Sequence, residues 1–213
     1  MLELNKVTAI CYDGRPHSNE TEARYHKILD FMLSKVIFHE VKLYCTYNMT
    51  HAGVNTVKIT ECGISRYNDW CVYEMHGCFN SDFALVYQDD GFVLNPQLWE
   101  DLFFEYDYIG APWPDYLGWN NHKNKVGNGG FSLRSKKLCE FTQTLPRSPA
   151  NEDAKICSQY RDMLDAKGLV VAPVEVARRF SVENRLDSEH DVENTFGFHG
   201  NQHIESVKKF LDL

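Results

Sequence analysis

The 213-residue sequence predicts an α/β fold, a mostly parallel central sheet flanked by helices, in a single domain spanning residues 1–213. Three observations predict it. Short β-branched and aromatic runs alternate with segments of helical periodicity along most of the chain. The run Phe83-Ala84-Leu85-Val86-Tyr87 is apolar throughout, as expected of a strand covered on both faces. No internal repeat, low-complexity tract or break in composition marks a linker.

The elements follow in order. Val7 to Cys11 is an apolar strand halted by the loop Tyr12-Asp13-Gly14-Arg15-Pro16. Ser18 or Asn19 caps a helix whose apolar positions Ile28, Leu29, Met32 and Leu33 recur at helical spacing. Val36 to Thr46 and Val54 to Thr60 are strands by their β-branched and aromatic content. A helix starts near Arg66 and runs to about Cys78, and Phe83 to Tyr87 is the central strand, ending in Gln88-Asp89-Asp90-Gly91. Asn95-Pro96 is a helix start, with a cap residue followed by proline at the first helical position. Tyr106 to Ala111 is another strand, followed by an irregular loop, Pro112 to Lys125, in an aromatic section holding Trp99, Trp113, Tyr116 and Trp119. Gly127-Asn128-Gly129-Gly130 leads into a strand at Phe131 to Arg134 and a helix from Ser135 to Leu145. A helix from Asn151 to Ala166, a strand from Leu169 to Ala172 and an amphipathic C-terminal helix carrying Ile204, Val207, Phe210 and Leu211 complete the series.

Composition narrows the function. With 43% hydrophobic and 24% charged residues the chain is that of a globular protein. A net charge of −8 argues against a duplex nucleic-acid surface, which needs clustered lysine and arginine. A diphosphate substrate would need a divalent cation or local basic residues. Seven scattered cysteines without a CxxC pair fit reduced thiols, and no signal peptide or run of ~20 apolar residues is present, so a cytoplasmic protein without a membrane span is expected. The acceptor pattern Asn48-Met49-Thr50 has no meaning in that compartment.

In a parallel α/β sheet, ligands bind beyond the carboxyl ends of the strands. Tyr12-Asp13-Gly14-Arg15, Gln88-Asp89-Asp90 and the Gly127–Gly130 loop all fall there. Adjacent carboxylates beside an apolar strand need compensation, so Asp89-Asp90 is either a Mg²⁺ or Mn²⁺ site or a solvated Asp-Gly turn. The glycines permit close backbone approach but match neither the Walker nor the Rossmann pattern. Asn151-Glu152-Asp153 is either an acidic first helical turn favoured by the helix dipole or the place of a general base. His199, set among glycines and phenylalanines, can reach a metal or phosphate or be structural. Arg15 and Arg66 are phosphate or base contacts, or surface ion-pair partners.

Together the segments YQDDGFVLNP (87–96), YDYIGAPW (106–113), VGNGGFSLRSK (126–136), NEDAKIC (151–157) and FGFHG (196–200) resemble a family of GT-A-type glycosyltransferases of bacteria and large algal viruses, including the N-terminal domains of chlorella-virus enzymes that build the capsid glycan. The resemblance covers most of the chain from Phe83 onward. It implies a GT-A-like fold and a metal-assisted transfer of a rhamnose- or glucose-type sugar from a UDP-sugar to a glycan or glycoprotein hydroxyl. Inversion is expected, with Asp153 as general base. The family's Asp-x-Asp motif falls on Gln88-Asp89-Asp90, with glutamine at its first position, so Asp90 takes the Mn²⁺ or Mg²⁺ position, helped by His199. Tyr12, Asp13, Arg15, Arg66, Asp69 and Asp89 are assigned to the nucleotide, and Gly129 and Gly130 to the donor-sugar pocket. The family context also allows for fusion to further glycosyltransferase or methyltransferase domains, and for a host-cytoplasmic location if the chain is viral. Two alternatives stand beside this reading: a retaining transferase of the same fold, and a nucleotide-sugar- or carbohydrate-binding module without catalysis. A metal-dependent phosphohydrolase is disfavoured, since no histidine-rich second metal site accompanies Asp89-Asp90.

Overall fold

The computed structural model describes residues 1–117 and 125–211; Trp119 of the predicted aromatic loop lies outside them. Strand β1, Leu2–Asp13, is central because both its faces are apolar. Val7, Ala9 and Cys11 face one core cluster, which includes helix α1, while Ile10 and Tyr12 face a second. Strand β4, Phe83–Val86, divides in the same way, with Leu85 in the first cluster and Ala84 and Val86 in the second. A continuous apolar run therefore marks a strand covered on both sides.

Helix α1, Asn19–Lys35, begins where the Ser18 hydroxyl accepts from the Thr21 N–H, and it buries Tyr25, Ile28, Leu29 and Met32. Strands β2, Val36–Cys45, and β3, Asn55–Lys58, follow, then helix α2, Ile64–Tyr73, which buries Trp70 and Val72. Strands β5, Tyr108–Ile109, and β6, Ser132–Ser135, complete a six-stranded sheet in the order β3-β2-β1-β4-β6-β5. The pairings β1·β2, β1·β4 and β2·β3 are parallel, whereas β6 runs antiparallel to both β4 and β5. The fold is a mixed α/β domain with a mostly parallel sheet and flanking helices.

Several predicted boundaries change. Tyr12 and Asp13 belong to β1 rather than to a loop, because they pair with Tyr44 and Cys45 of β2. The helix read from Asn95-Pro96 is two short 3₁₀ turns, Pro96–Leu98 and Asp101–Glu105. Helix α3, Lys136–Thr142, is capped by Ser135. The single helix read over 151–166 is interrupted: α4, Glu152–Ala154, passes through a π turn at Lys155–Gln159 into α5, Arg161–Ala166. Segment 169–172 is not a sheet strand, although it borders β5 through the bonds Tyr108 N–H to Val170 O and Ala172 N–H to Tyr108 O.

Residues 173–195 carry no periodic pattern that predicts an element. That region forms helix α6, Val174–Phe180, and strand β7, Ser181–Val182, which pairs in parallel with β8, Gly197–Phe198. The chain ends in α7, Ile204–Leu211. Phe103, Phe131, Phe180 and Phe196 pack ring on ring, tying this C-terminal layer to the main core. No helix among the described residues is long and apolar enough to cross a membrane, and the seven cysteines are free thiols.

Candidate active site

From β1 the chain adds β2 and β3 on one side and then returns to place β4 on the other, so the strand order reverses between β1 and β4. In open α/β sheets such a reversal opens a crevice at the strands' carboxyl ends. A cavity of about 330 Å³ lies there, bordered by Tyr12 and Asp13 at the end of β1 and by Gln88, Asp89 and Asp90 after β4. Two of the three predicted clusters thus meet in one cavity.

Its wall has two kinds of surface. The Tyr12 ring is stacked on Trp70 at 4.7 Å and on Tyr44 at 6.1 Å, giving a backed aromatic face. Beside it is an ion-pair network. Asp13 accepts from Arg15 Nη2 at 2.6 Å, from Arg15 Nε at 2.8 Å and from the Tyr25 hydroxyl at 3.1 Å. Arg15 also donates to Asp89 at 2.8 Å, and Arg24 reaches the same carboxylate at 3.3 Å. Burial pushes the Asp89 carboxyl up, and Arg15 opposes that rise. Asp13 and Asp89 are buried, while the Arg15 side chain is 55% exposed. Two buried acids therefore hold one guanidinium at the cavity mouth, where it can meet an anion. Arg24 has no counterpart in the sequence assignment; it lies on the exposed start of α1, where an arginine looks like an ordinary helix surface residue.

His199 does not border the cavity but stands behind two residues that do, Gln88 and Asp90. Segment 93–95 is laced to β8 by a bridge between Val93 and Gly197 and by the Leu94 and Asn95 N–H groups donating to Phe196 O, and Gly200 N–H donates to Asp90 O. This lacing sets His199 Nε2 3.1 Å from Gln88 Oε1 and 3.7 Å from Asp90 Oδ1. Glu183, one residue past β7, stands beside His199, one residue past β8, and accepts from its Nδ1 at 3.2 Å. Burial alone would lower the His199 pKa, but the Glu183 hydrogen bond and the Asp90 charge outweigh it and raise it.

Among the described residues no three His, Cys, Asp or Glu side chains form a metal cluster. The donor set at His199 is instead a carboxylate, an imidazole nitrogen and the amide oxygen of Gln88. With Nδ1 engaged by Glu183, the ring turns Nε2 toward two oxygen acceptors, Gln88 Oε1 and Asp90 Oδ1. That arrangement suits either a proton on Nε2 or a cation among the three atoms. Oxygen-rich coordination by one carboxylate, with substrate phosphates completing the sphere, is the usual manner of Mg²⁺. The residues fit a divalent cation held jointly with a phosphate ligand.

The glycine loop supports this site from behind. A β-carbon on Gly130 would overlap the His199 ring, and one on Gly129 would overlap the Glu152 carboxylate. Neither glycine borders the cavity. Glu152 is buried in an ion pair with Arg134, Nη1 to Oε2 at 2.8 Å. Asn128, at φ 62°, turns its N–H onto Asp153 Oδ2 at 3.1 Å, and Ala154 N–H meets Oδ1 at 2.7 Å. Burial and then the Glu152 charge push Asp153 up to about 6. Asp153 in turn adds to the rise at His199, so the two lie within electrostatic reach.

Two predicted residues face elsewhere. Arg66 is paired to Glu74 at 2.7 Å and borders a neighbouring hollow that shares Tyr12 and Cys62 with the cavity. Asp69 is paired to Arg147 at 2.8 Å and borders neither.

The family model described as "Protein of unknown function (DUF5672)" matches residues 61–199. No curated protein matches the chain. Among solved structures, the chain is similar to a glycosyltransferase involved in the glycosylation of the major capsid of PBCV-1, at 12% identity and a TM-score of 0.55, over 94% of this chain and 99% of that one. It is also similar to the galactosyltransferase LgtC in complex with donor and acceptor sugar analogues, at 10% identity and a TM-score of 0.48, over 92% and 87%. A third is the mannosyltransferase PcManGT from Pyrobaculum calidifontis in complex with GDP-Man and Mn²⁺, at 13% identity and a TM-score of 0.49, over 80% and 55%.

Proposed function

The chain belongs to the DUF5672 family, and we propose that it is a glycosyltransferase that moves a sugar from a nucleoside-diphosphate donor, a UDP-sugar, to a glycan or glycoprotein hydroxyl. The observation that carries this reading is the cavity between β1 and β4. There an aromatic face and a guanidinium held by two buried acids stand beside Gln88 and Asp90, with His199 behind those two. The likeness in fold to the viral capsid glycosyltransferase supports the reading at the level of architecture, and glycan assembly is the setting proposed for it.

In this reading the base stacks on Tyr12, and Arg15 with Arg24 meets the diphosphate. Asp90, His199 and Gln88 would hold a Mn²⁺ or Mg²⁺, which would supply positive charge to offset that developing on the leaving diphosphate. Asp153, fixed by two backbone N–H groups, takes the proton of the acceptor hydroxyl as it attacks the anomeric carbon. Its elevated pKa makes it a stronger base than an ordinary aspartate while leaving it ionised near neutrality. Glu183 fixes the His199 ring so that Nε2 points at Asp90 and Gln88.

The test is release of free UDP from a panel of UDP-sugars with and without Mn²⁺, alongside calorimetry of UDP binding. We expect release from at least one donor, with Mn²⁺ tightening UDP and His199→Ala weakening that effect by about 10–100-fold. Binding of UDP without release from any donor would overturn catalysis and leave a binding module. The anomeric configuration of the product, read by NMR, tests inversion.

A further inference from the structure

A second hollow, of about 570 Å³, lies on the other side of His199 and is bordered by Glu183, Asn184, Arg185, Gln202, His203 and Ser206. Its relation to the donor cavity follows from one ring. His199 Nε2 faces Gln88 and Asp90, which border the cavity between β1 and β4, while Nδ1 faces Glu183, which borders this hollow. The imidazole therefore separates the two spaces. Glu183 is also the hollow's framework, because its main-chain carbonyl accepts from Gln202 Nε2 at 2.8 Å and from His203 Nε2 at 2.7 Å.

The lining is polar and offers groups that read hydroxyls. The Arg185 side chain is 54% exposed, and its ion pair to Asp191 is long, 3.9 Å. Asn184 and Gln202 supply amides, and Ser206 a hydroxyl on the exposed side of α7. Tyr116 stands at the edge, 76% exposed, with its hydroxyl donating to Asn184 Oδ1 at 3.2 Å. An aromatic ring held open to solvent beside a set of amides and a guanidinium suits a ring-shaped polyol, whose C–H face packs on the tyrosine while its hydroxyls meet the polar wall. Asp153 holds the Asn128 N–H, two residues before Gly130, and Gly130 packs against the His199 ring, so the carboxylate is tied through this loop to the ring that stands between the two spaces.

We propose that this hollow is the acceptor subsite, and that it takes a saccharide, presenting one hydroxyl past Glu183 toward Asp153. The proposal rests on the donor reading of the first cavity and adds to it the acceptor's position and the residues that select it. Arg185 and Tyr116 select the acceptor and do not contribute to holding the nucleotide.

The experiment is saturation-transfer NMR on the whole protein with methyl α- and β-glycosides of glucose, galactose, mannose and rhamnose, in the presence of UDP and Mn²⁺, with calorimetry of UDP in parallel. Wild-type protein is expected to bind at least one glycoside. Arg185→Ala and Tyr116→Ala, both on exposed side chains, should weaken it about tenfold or more each and leave UDP affinity within about twofold. Ser206→Ala, a milder change in the same wall, should weaken it less and gives a variant in which folding is not at stake. Glycoside binding indifferent to all three variants while UDP binds normally would overturn this proposal and leave the donor reading standing. So would the absence of any glycoside signal up to about 50 mM. Glycoside bound with no UDP binding in wild type would overturn the donor reading, and the acceptor role with it.

Discussion

Asp153→Asn is expected to remove most turnover and also to change how folding stability responds to pH. Burial, then the Glu152 charge, push the Asp153 carboxyl from the ordinary 3.8 up to about 6. Between those values the folded protein keeps a proton that the unfolded chain has released, so stability falls as pH rises through the window. The gap corresponds to about 3 kcal/mol. The amide has no proton to lose, and therefore the stability of wild type relative to the variant should fall by about 3 kcal/mol between about pH 3.5 and pH 7 and be flat above. The variant carries a constant cost of about 1–3 kcal/mol, because its NH₂ must face one of the two backbone donors now met by the carboxylate. That cost moves the whole difference without altering its course with pH. Urea unfolding of both proteins across this range measures it. In parallel, wild-type kcat/KM should rise about tenfold per pH unit below about 6 and level off above, with the variant about 10²–10⁴-fold lower. A stability difference that does not vary between pH 4 and pH 7 would refute the argument, because it would mean that the folded state does not hold the Asp153 proton.

Two further substitutions test the support behind the site. Gly130→Ala should push the His199 ring off Gln88 and Asp90, costing about 1–3 kcal/mol of stability by overpacking and weakening Mn²⁺ in the presence of UDP, as calorimetry would show. Unchanged Mn²⁺ affinity would mean the ring is not held where Nε2 now points. Glu152→Gln leaves Arg134 buried without its counter-charge and should cost about 3–5 kcal/mol, while the double change Glu152→Leu with Arg134→Met recovers most of it. The same single change removes a charge that raises Asp153, so the acid limb of the pH–rate profile should move to lower pH.

The parts of this protein that were legible in its sequence are those whose pattern has a period. β1 and β4 are apolar on both faces, α1 carries its buried positions three and four apart behind a serine cap, and both kinds of signal survive folding. Strand direction carries no such signature: β6 has the composition of a parallel neighbour of β4 and runs the other way. At Lys155–Gln159 the helical period fails because Lys155, Ile156 and Cys157 are all buried, and the backbone widens to a π turn to place three successive side chains inward. β7 and β8 are two residues each, too short for any alternation to register.

The same distinction separates the candidate residues that the sequence shows from those that it hides. The resemblance assigns roles to Asp90, Asp153 and His199 by motif register, and the structure sets His199 3.7 Å from Asp90 while Asp153 holds the Asn128 N–H of the loop behind that pair. Glu183, which sets the orientation of the His199 ring, was invisible because its partner is 16 residues away and the pairing arises only from the parallel register of β7 on β8. Arg24 was hidden for the opposite reason, since a helix-surface arginine four residues from Glu20 has a complete local explanation, an i,i+4 pair, without its second contact to Asp89. In a chain of net charge −8, Arg15 and Arg24 would be the groups that receive the diphosphate of the proposed donor. Asp13 and Asp89 are the acids that hold them there, so the carboxylates at this cavity prepare it for an anion as well as for a cation. On the proposed function, Asp89, paired to both arginines, would belong with the phosphate side of the site and Asp90, beside His199, with the metal side, a division between two adjacent residues that their shared place in an Asp-Asp pair conceals.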